Sequence, residues 1–230
     1  MSLGVFIQVR LGSTRLPAKA LLPLPGGLII QHVMRSMSRV PAEVRALVTD
    51  AGSAQALAPL AREEGFLLFV GPRDDVLARY CMAVREYGVD QVVRATGDNP
   101  LTSAMLARSI LDRHLKNGSD LSHYLGIPLG SGVEVVRSES LLAAESEATD
   151  PMEREHVTPF LYRHPERFRI EEPQGPPGFR LPEARVTVDT ADDYAQVRWI
   201  FDALYAGVPI EADQLVSWFQ SAAHAGQERA

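Results

Sequence analysis

A loop near the N-terminus, residues 8–19 with the sequence QVRLGSTRLPAK, carries the residue types that bind phosphate. Gly12 and Ser13 allow backbone N–H groups to approach an anion closely. The cations of the loop are Arg10, Arg15 and Lys19. A triphosphate requires fixed donors and positive charge together, and this loop offers both. The spacing is not that of a Walker loop and the chain has no G-x-G-x-x-G fingerprint, so a solvated basic surface loop remains the alternative.

Two aspartates follow predicted strands and are candidates for binding a divalent metal ion. Asp98 lies in the segment GDNP, and Asp189 lies in VTVDT. Magnesium prefers hard oxygen ligands, usually one or two carboxylates together with phosphate oxygens. Asp98 could instead cap a helix that begins near Thr102. Asp189 or its neighbour Thr190 could likewise cap a helix that begins at Asp192.

The elements that would position these residues alternate between short apolar strands and amphipathic helices. In the first half, the predicted strands cover 5–9, 44–48, 67–70 and 91–95, and the predicted helices cover 28–40, 53–64, 74–87 and 102–116. This alternation predicts an α/β fold of three layers, with a mostly parallel sheet covered by helices on both faces. Ligands bind at the carboxyl ends of such strands, where the sequence places Arg10, Thr49, Asp50 and Asp98.

The second half of the chain is less regular. Predicted strands cover 133–136, 168–171 and 185–188, and predicted helices cover 138–148, 153–162, 192–205 and 212–222. The segment PQGPPG at 173–178 predicts a loop or a mobile flap. No linker clearly divides the chain, so we expect a single domain over residues 1–230, with a frayed tail at 225–230.

Composition restricts the partners and the compartment. The chain has 230 residues, of which 46% are hydrophobic and 23% charged, and its net charge at pH 7 is −6. No basic stripe occurs, so we expect no nucleic-acid partner. The single cysteine, Cys81, cannot form an intrachain disulfide, and its place on a predicted helix favours a buried structural thiol. The sequence shows no signal peptide or membrane-spanning stretch, so we expect a cytoplasmic protein without a membrane partner.

Five motifs occur in order along almost the whole chain, from Phe6 to about Tyr205. They are QVRLGSTRLPAK, DDVLARY, VVRATGDNPL, DPMEREHVTPFLYR and VTVDTADDY. On these motifs the sequence resembles the spore coat polysaccharide biosynthesis protein SpsF family. That family is similar to the cytidylyltransferases that activate acidic sugars, such as the acylneuraminate and KDO cytidylyltransferases. The first and fourth motifs are long and specific.

The resemblance implies a Rossmann-like, GT-A-like nucleotidyltransferase fold. It also implies that a nucleoside triphosphate, with CTP favoured, reacts with a sugar to give a nucleoside-monophosphate sugar and pyrophosphate. Carried over by motif, the triphosphate-binding residues are Arg10, Gly12, Ser13 and Lys19. Mg²⁺ would be held by Asp98 and Asp189, the nucleotide would also lie near Asp50 and Arg94, and the sugar would be faced by Glu134, Glu155 and His156. The catalytic residues would be Arg10, Lys19 and Asp98, because attack on the α-phosphorus needs positioning and charge stabilisation.

Some of these roles compete with structural ones. His156 is the natural candidate for a general base, but it could belong to an ion-pair cluster that closes the pocket. Arg79 and Tyr80 could touch the ligand, or they could only pin their helix against the first loop.

The sequence also departs from the family pattern. Ala18 stands where the family usually has glycine, and alanine is tolerated there if its φ is negative. Where the family often has Gly-Lys-Pro, this chain has GLI at 27–29. Near Glu134 the family tends to carry acidic residues beside a Pro-Asp-Gly, whereas this chain has PLGSG at 128–132. Those acids would meet the sugar, so its identity is left more open than that of the nucleotide.

Two other functions compete with nucleotidyl transfer. A GT-A glycosyltransferase would consume a nucleotide-sugar, but such enzymes usually hold manganese with an Asp-x-Asp pair, which this sequence lacks. A non-catalytic nucleotide or sugar-nucleotide sensor would bind its ligand without turnover. Related cytidylyltransferases pair through a segment of their second half, so a homodimer formed through residues 168–188 is expected by analogy with them.

Overall fold

The computed structural model describes residues 1–227 and contains a seven-stranded sheet. The strands are β1 (Leu3–Gln8), β2 (Pro23–Leu24), β3 (Gly27–Leu28), β4 (Val44–Asp50), β5 (Leu67–Gly71), β6 (Gln91–Thr96), β7 (Leu121–Ser122), β8 (Glu134–Arg137) and β9 (Ile170–Glu171). Across the sheet their order is β5-β4-β1-β6-β8-β7-β9. Neighbouring strands are parallel except where β8 pairs with β6 and β7. β2 and β3 form a separate antiparallel ribbon.

Helices cover both faces of this sheet. They are α1 (Ile29–Met37), α2 (Ala51–Glu63), α3 (Val76–Tyr87), α4 (Ala104–Asn117), α5 (Ser138–Glu147), α6 (Pro151–His156), α7 (Pro159–Arg163), α8 (Ala191–Leu204) and α9 (Ala212–Gln227), with short 3-10 turns at Lys19–Leu21 and Pro177–Phe179. Successive residues of β1 point to opposite faces, so Val5 and Ile7 pack in the apolar cluster beneath α1, α2 and α4, whereas Phe6 packs in the cluster beneath α3 and α5. The predicted three-layer α/β fold with a mostly parallel sheet is therefore confirmed.

A third apolar cluster anchors the chain just before α8. Val186 and Val188 are fully buried against Ile200 and Phe201 of α8. This packing fixes the extended segment that leads to Asp189, although the segment is not part of the central sheet. The strand predicted over 185–188 is thus wrong, and only an isolated bridge joins Arg185 to Leu129.

The structure also corrects the helix predicted over 153–162. Two short helices, α6 and α7, replace it, and Val157 between them has a φ of 77°. Pro159 explains the break, because proline has no N–H for a helical hydrogen bond and its ring clashes with the preceding turn. Further along the chain, the predicted strand at 168–171 is reduced to the two residues of β9.

Cys81 is buried on α3, as predicted, and its thiol donates to the carbonyl oxygen of Leu141 over 3.3 Å. Burial raises the pKa of this thiol to about 12, so Cys81 is a structural residue. At the C-terminus, α9 continues to Gln227. Part of the predicted frayed tail is therefore helical, and residues 228–230 lie outside the described residues. Of the helices within residues 1–227, none is both long and apolar enough to cross a bilayer.

Candidate functional site

A cleft of about 520 Å³ opens at the carboxyl ends of β1 and β6. One wall is the loop that follows β1, and the end of β6 and helix α6 contribute other parts of the lining. The residues predicted for the site that line this cleft are Arg10, Gly12, Ser13, Lys19, Asp98, Glu155, His156 and Asp189. The loop at 8–19 is therefore part of a concave site rather than a free basic surface.

Lys19 lies between the two candidate metal-binding aspartates. Its Nζ is 2.5 Å from Asp98 Oδ2 and 2.9 Å from Asp189 Oδ1, and it donates to the Val188 carbonyl oxygen over 2.6 Å. The lysine side chain is only 11% exposed, so this contact is shielded from solvent. Two carboxylates from distant parts of the chain thus converge on a single cation.

Neither Asp98 nor Asp189 caps the helix that follows it. Helix α4 is capped by Ser103, whose Oγ accepts from the Leu106 N–H. Helix α8 is capped by Thr190, whose Oγ1 accepts from the Asp193 N–H. Neither cap uses Asp98 or Asp189, so both carboxylates are available to the cleft.

Asp189 forms more ion pairs with nearby cations than Asp98 does. Besides Lys19, it is paired with Arg15 at 3.2 Å and with Arg185 at 2.6 Å. Burial by itself would raise the pKa of Asp189, but the hydrogen bond from Lys19 and the nearby cations outweigh it and hold that pKa below its usual value. Asp189 is therefore an anion at neutral pH.

These two carboxylates fit a divalent cation. Both lie within hydrogen-bonding distance of the same point, now taken by the Lys19 ammonium, and magnesium commonly uses two protein carboxylates with phosphate oxygens. Among the described residues, no group of three or more His, Cys, Asp or Glu side chains is placed to hold a metal. A metal ion between Asp98 and Asp189 would therefore need oxygen ligands from a bound phosphate or from water.

The floor of the cleft depends on a close approach between strands. The Gly97 N–H donates to the Gln8 carbonyl oxygen over 2.8 Å. A Cβ on Gly97 would lie 2.8 Å from the Cβ of Val9 and 2.8 Å from Cδ1 of Ile30. Because only glycine fits there, the chain can follow β1 closely before it delivers Asp98 to the cleft.

Across the cleft, Arg10 is paired with a carboxylate of α6. Its Nη2 lies 3.0 Å from Glu155 Oε1, and both side chains are partly exposed. His156 is exposed and lines the same cleft. The neighbouring ion pairs are made by Glu153 and Arg154 rather than by His156, so within the described residues His156 is not a member of an ion-pair cluster.

Three predicted site residues are not in the cleft lining. Asp50 caps α2, where its carboxylate accepts from the N–H and the hydroxyl of Ser53. Arg94 and Glu134 form an ion pair of 2.5 Å and do not line the cleft. Glu134 also accepts hydrogen bonds from Thr158 and Tyr162. In the structure these three side chains bind other groups of the protein.

The Arg94–Glu134 pair has a marked effect on its neighbours. Burial alone would lower the pKa of Arg94, but the charge of Glu134 outweighs it and raises that pKa. Burial, together with the charge of Glu134 and its hydrogen bond, raises the pKa of Tyr162. Arg94, Glu134, Thr158 and Tyr162 therefore form a fixed ionic cluster outside the cleft lining.

The cleft contains two further arginines: Arg73, to which the sequence analysis assigned no role, and Arg79, which it expected either to touch the ligand or to pin its helix against the first loop. Arg73 follows β5, at a strand end like the predicted residues, and its Nη2 lies close to Gly12. Arg79 lines the cleft from the buried face of α3 and is only 2% exposed. In the described part of the chain its Nε and Nη1 have no hydrogen-bond partner, and burial lowers its pKa. In the sequence, Arg79 stands among the apolar residues on the buried face of α3, and this position indicates that the side chain could have a role in the site.

Ala18 corrects an expectation about the loop. Alanine at this position was expected to require a negative φ, but the structure has a φ of 51° and a ψ of 29°, in the left-handed region. For residues other than glycine this region is disfavoured by contact between Cβ and the backbone. Ala18 thus holds a left-handed backbone, which glycine would adopt without strain.

We therefore expect Ala18→Gly to raise the free energy of unfolding by about 0.5–1 kcal/mol, since relief of left-handed strain exceeds the entropy cost of glycine. Urea denaturation would measure it. Ala20→Gly is the matched control, because Ala20 is buried and outside the positive-φ residues, so glycine there should destabilise. A loss of stability in Ala18→Gly would contradict the interpretation of strain.

Comparison with known proteins assigns the family. The family model described as cytidylyltransferase matches residues 5–208. The chain belongs to the cytidylyltransferase family. It is 30% identical over 230 residues to the spore coat polysaccharide biosynthesis protein SpsF of Bacillus subtilis (strain 168), covering 97% of this chain and 96% of that protein. The predicted resemblance to SpsF and the prediction of a nucleotidyltransferase enzyme are confirmed.

Solved structures agree with the family assignment. A cytidylyltransferase from Leptospira borgpetersenii superposes with a TM-score of 0.90 at 25% identity, covering 97% of this chain and 96% of that one. The CMP:2-keto-3-deoxy-manno-octonic acid synthetase, solved in complex with CTP, superposes with a TM-score of 0.67 at 16% identity, covering 88% of this chain and 99% of that one. The second likeness concerns the fold alone. This family member therefore has the nucleotidyltransferase fold expected from its motifs.

Proposed function

We propose that the enzyme transfers CMP from CTP to a sugar hydroxyl and releases pyrophosphate. The observation that carries the proposal is the convergence of Asp98 and Asp189 on Lys19 in a cleft lined by further arginines. Such a site combines carboxylates for a metal ion with fixed cations for phosphates, which nucleotidyl transfer requires. The CTP complex of the octonic acid synthetase supports CTP as the donor, and the name of the SpsF relative supports polysaccharide biosynthesis as the context.

In the proposed reaction, the sugar hydroxyl oxygen attacks the α-phosphorus of CTP. The bond between that phosphorus and the bridging oxygen to the β-phosphorus breaks, and pyrophosphate leaves. Arg10, Arg15 and Lys19 would neutralise charge on the phosphates, and His156 on the opposite wall could accept the hydroxyl proton. A Mg²⁺ ion held by Asp98 and Asp189 would supply charge stabilisation and would orient the phosphates.

Ligand binding then requires an exchange of ionic partners. In the structure Arg10 is paired with Glu155, and Lys19 with Asp98 and Asp189. Phosphates would bind these cations, which would free Glu155 to face the sugar and the two aspartates to bind the metal ion.

We also expect the protein to be a cytoplasmic homodimer, with residues 168–188 as the pairing segment.

Product analysis is the direct test of this proposal. Incubation with CTP, Mg²⁺ and a panel of sugars should release pyrophosphate, and CTP should raise the melting temperature more than ATP, GTP or UTP. Asp98→Asn should leave the fold intact and lower turnover by about 100-fold or more, because a neutral amide is a poor metal ligand. Release of a nucleoside diphosphate from a nucleotide-sugar would instead identify a glycosyltransferase, and tight binding without turnover would identify a sensor.

A further inference from the structure

The connection between α6 and α7 contains a valine in a backbone conformation that valine rarely adopts. Val157 has a φ of 77° and a ψ of −55°. In the described part of the chain, Ala18 is the other non-glycine residue with a positive φ. The Thr158 N–H donates to the His156 carbonyl oxygen over 3.0 Å, which closes a three-residue γ-turn around Val157. A β-branched residue in this conformation is strained and persists only where its surroundings enforce it.

Several contacts enforce the turn. Val157 is fully buried in the apolar cluster beneath α3 and α5. Arg163 of α7 pairs with Asp150 at 2.6 Å and with Glu153 at 2.7 Å, so it ties α7 to the start of α6. Pro159 prevents one continuous helix. The strained conformation is thus held by packing on one side and by ion pairs on the other.

The turn directs neighbouring residues to two different places. On its N-terminal side, Glu155 and His156 line the cleft, and Glu155 accepts from Arg10 over 3.0 Å. On its C-terminal side, the Thr158 hydroxyl donates to Glu134 over 3.1 Å in the buried ionic cluster. The turn at Val157 therefore connects Glu155 and His156, which form the wall of the cleft proposed to face the sugar acceptor, to the ionic cluster around Glu134.

We propose that Val157 is a positioning residue for nucleotidyl transfer, and that its strained turn holds Glu155 and His156 against the acceptor side of the cleft. The inference rests on the proposed function, which assigns this side of the cleft to the sugar. Side chains that meet reacting atoms must be held to within a fraction of an ångström, since a small misplacement lowers the rate steeply. A turn that its surroundings hold in one conformation meets that requirement better than a flexible loop.

Two substitutions of Val157 separate the effect of its backbone conformation from the effect of its side-chain packing. Val157→Ala removes buried methyl groups but keeps a Cβ at positive φ, whereas Val157→Gly also frees the backbone. We expect Val157→Gly to melt at a temperature no lower than Val157→Ala, yet to have a kcat/KM about tenfold lower, because Glu155 and His156 then sample several positions. Nuclear magnetic resonance should show one set of His156 imidazole signals in Val157→Ala and broadened or multiple sets in Val157→Gly.

Val136 provides the matched control, because it is fully buried in the same apolar cluster but lies on strand β8. At an ordinary strand position glycine is less stable than alanine. Val136→Gly should therefore melt below Val136→Ala, and activity should follow stability in this pair. Opposite orders of stability and activity at position 157 would distinguish positioning from a general contribution to folding.

The inference is overturned if Val157→Gly matches Val157→Ala in kcat/KM, or if its His156 signals stay single and sharp. Should Val157→Gly fail to fold, Val157→Ala decides the question. That variant must show one set of His156 signals and the same activity as Val136→Ala. A larger loss of activity would assign the positioning to side-chain packing and overturn the proposal. Absence of turnover by the unmodified enzyme with CTP and sugars would count against the proposed function, while the melting and imidazole comparisons would still test the turn.

Discussion

Replacing Lys19 with methionine should raise the affinity of the nucleotide-free protein for a divalent cation while it lowers the affinity for CTP. The Lys19 ammonium now occupies the point on which Asp98 and Asp189 converge. Without it, two partly buried carboxylates face each other with less compensation, so Mn²⁺ or Mg²⁺ should bind about tenfold more tightly. A triphosphate loses a charge-assisted donor, so CTP should bind about 100-fold more weakly in the presence of metal.

Isothermal titration calorimetry with Mn²⁺ alone, and then with CTP and Mn²⁺, would measure both changes. Lys116→Met is the control, because Lys116 is the other lysine of the chain and is exposed at the end of α4. It should alter neither affinity. A Lys19→Met protein that binds Mn²⁺ more weakly than the unmodified enzyme would contradict the exchange of cations and would leave the two aspartates without a shared metal role.

Replacing Arg79 with methionine should have opposite effects on stability and on nucleotide binding. A buried guanidinium whose N–H groups have no partner among the described residues is unfavourable for the fold, so methionine should raise the free energy of unfolding by about 1–3 kcal/mol. Arg79 also lines the cleft, so its guanidinium group is placed next to the proposed nucleotide site. We therefore expect the affinity for CTP to fall by about 10- to 100-fold.

Denaturant titrations and calorimetry with CTP would test this pair of effects. Arg85→Met on the same helix is the control, since Arg85 forms an ion pair with Glu145 and is half exposed. Its effect on stability should stay within about 1 kcal/mol, and CTP binding should not change. If Arg79→Met destabilises the protein and leaves CTP binding intact, Arg79 only pins α3 against the first loop.

Asp50 and Asp98 show how far local sequence reasoning reaches. Both were predicted to stand at strand ends, Asp50 near the nucleotide and Asp98 as a metal ligand. Helix α2 begins immediately after Asp50, so the carboxylate is in position to cap it. Helix α4 begins only at Ala104, so Ser103 is the cap and Asp98 is left to face Lys19. The distance between an acid and the start of the next helix separates the two cases, and it is a detail of helix boundaries that patterns place poorly.

Much of this protein followed from sequence alone, because its causes are local. The alternation of apolar strands and helices predicted the three layers, and the strand ends predicted the edge of the sheet where the site lies. The loop at 8–19 and the four later motifs identified the family that the comparisons confirm. Each of these signals depends on residue types within a short segment.

The tertiary structure decided which charges meet. Lys19 and Asp189 are 170 residues apart in sequence, and they touch because the segment before α8 packs its valines on a separate apolar cluster. The same holds for Arg94 and Glu134, which pair across neighbouring strands and so leave the cleft, and for Arg79, which enters it. Long-range packing sets these partners, and so does the strained turn at Val157, because its conformation is imposed by what surrounds it.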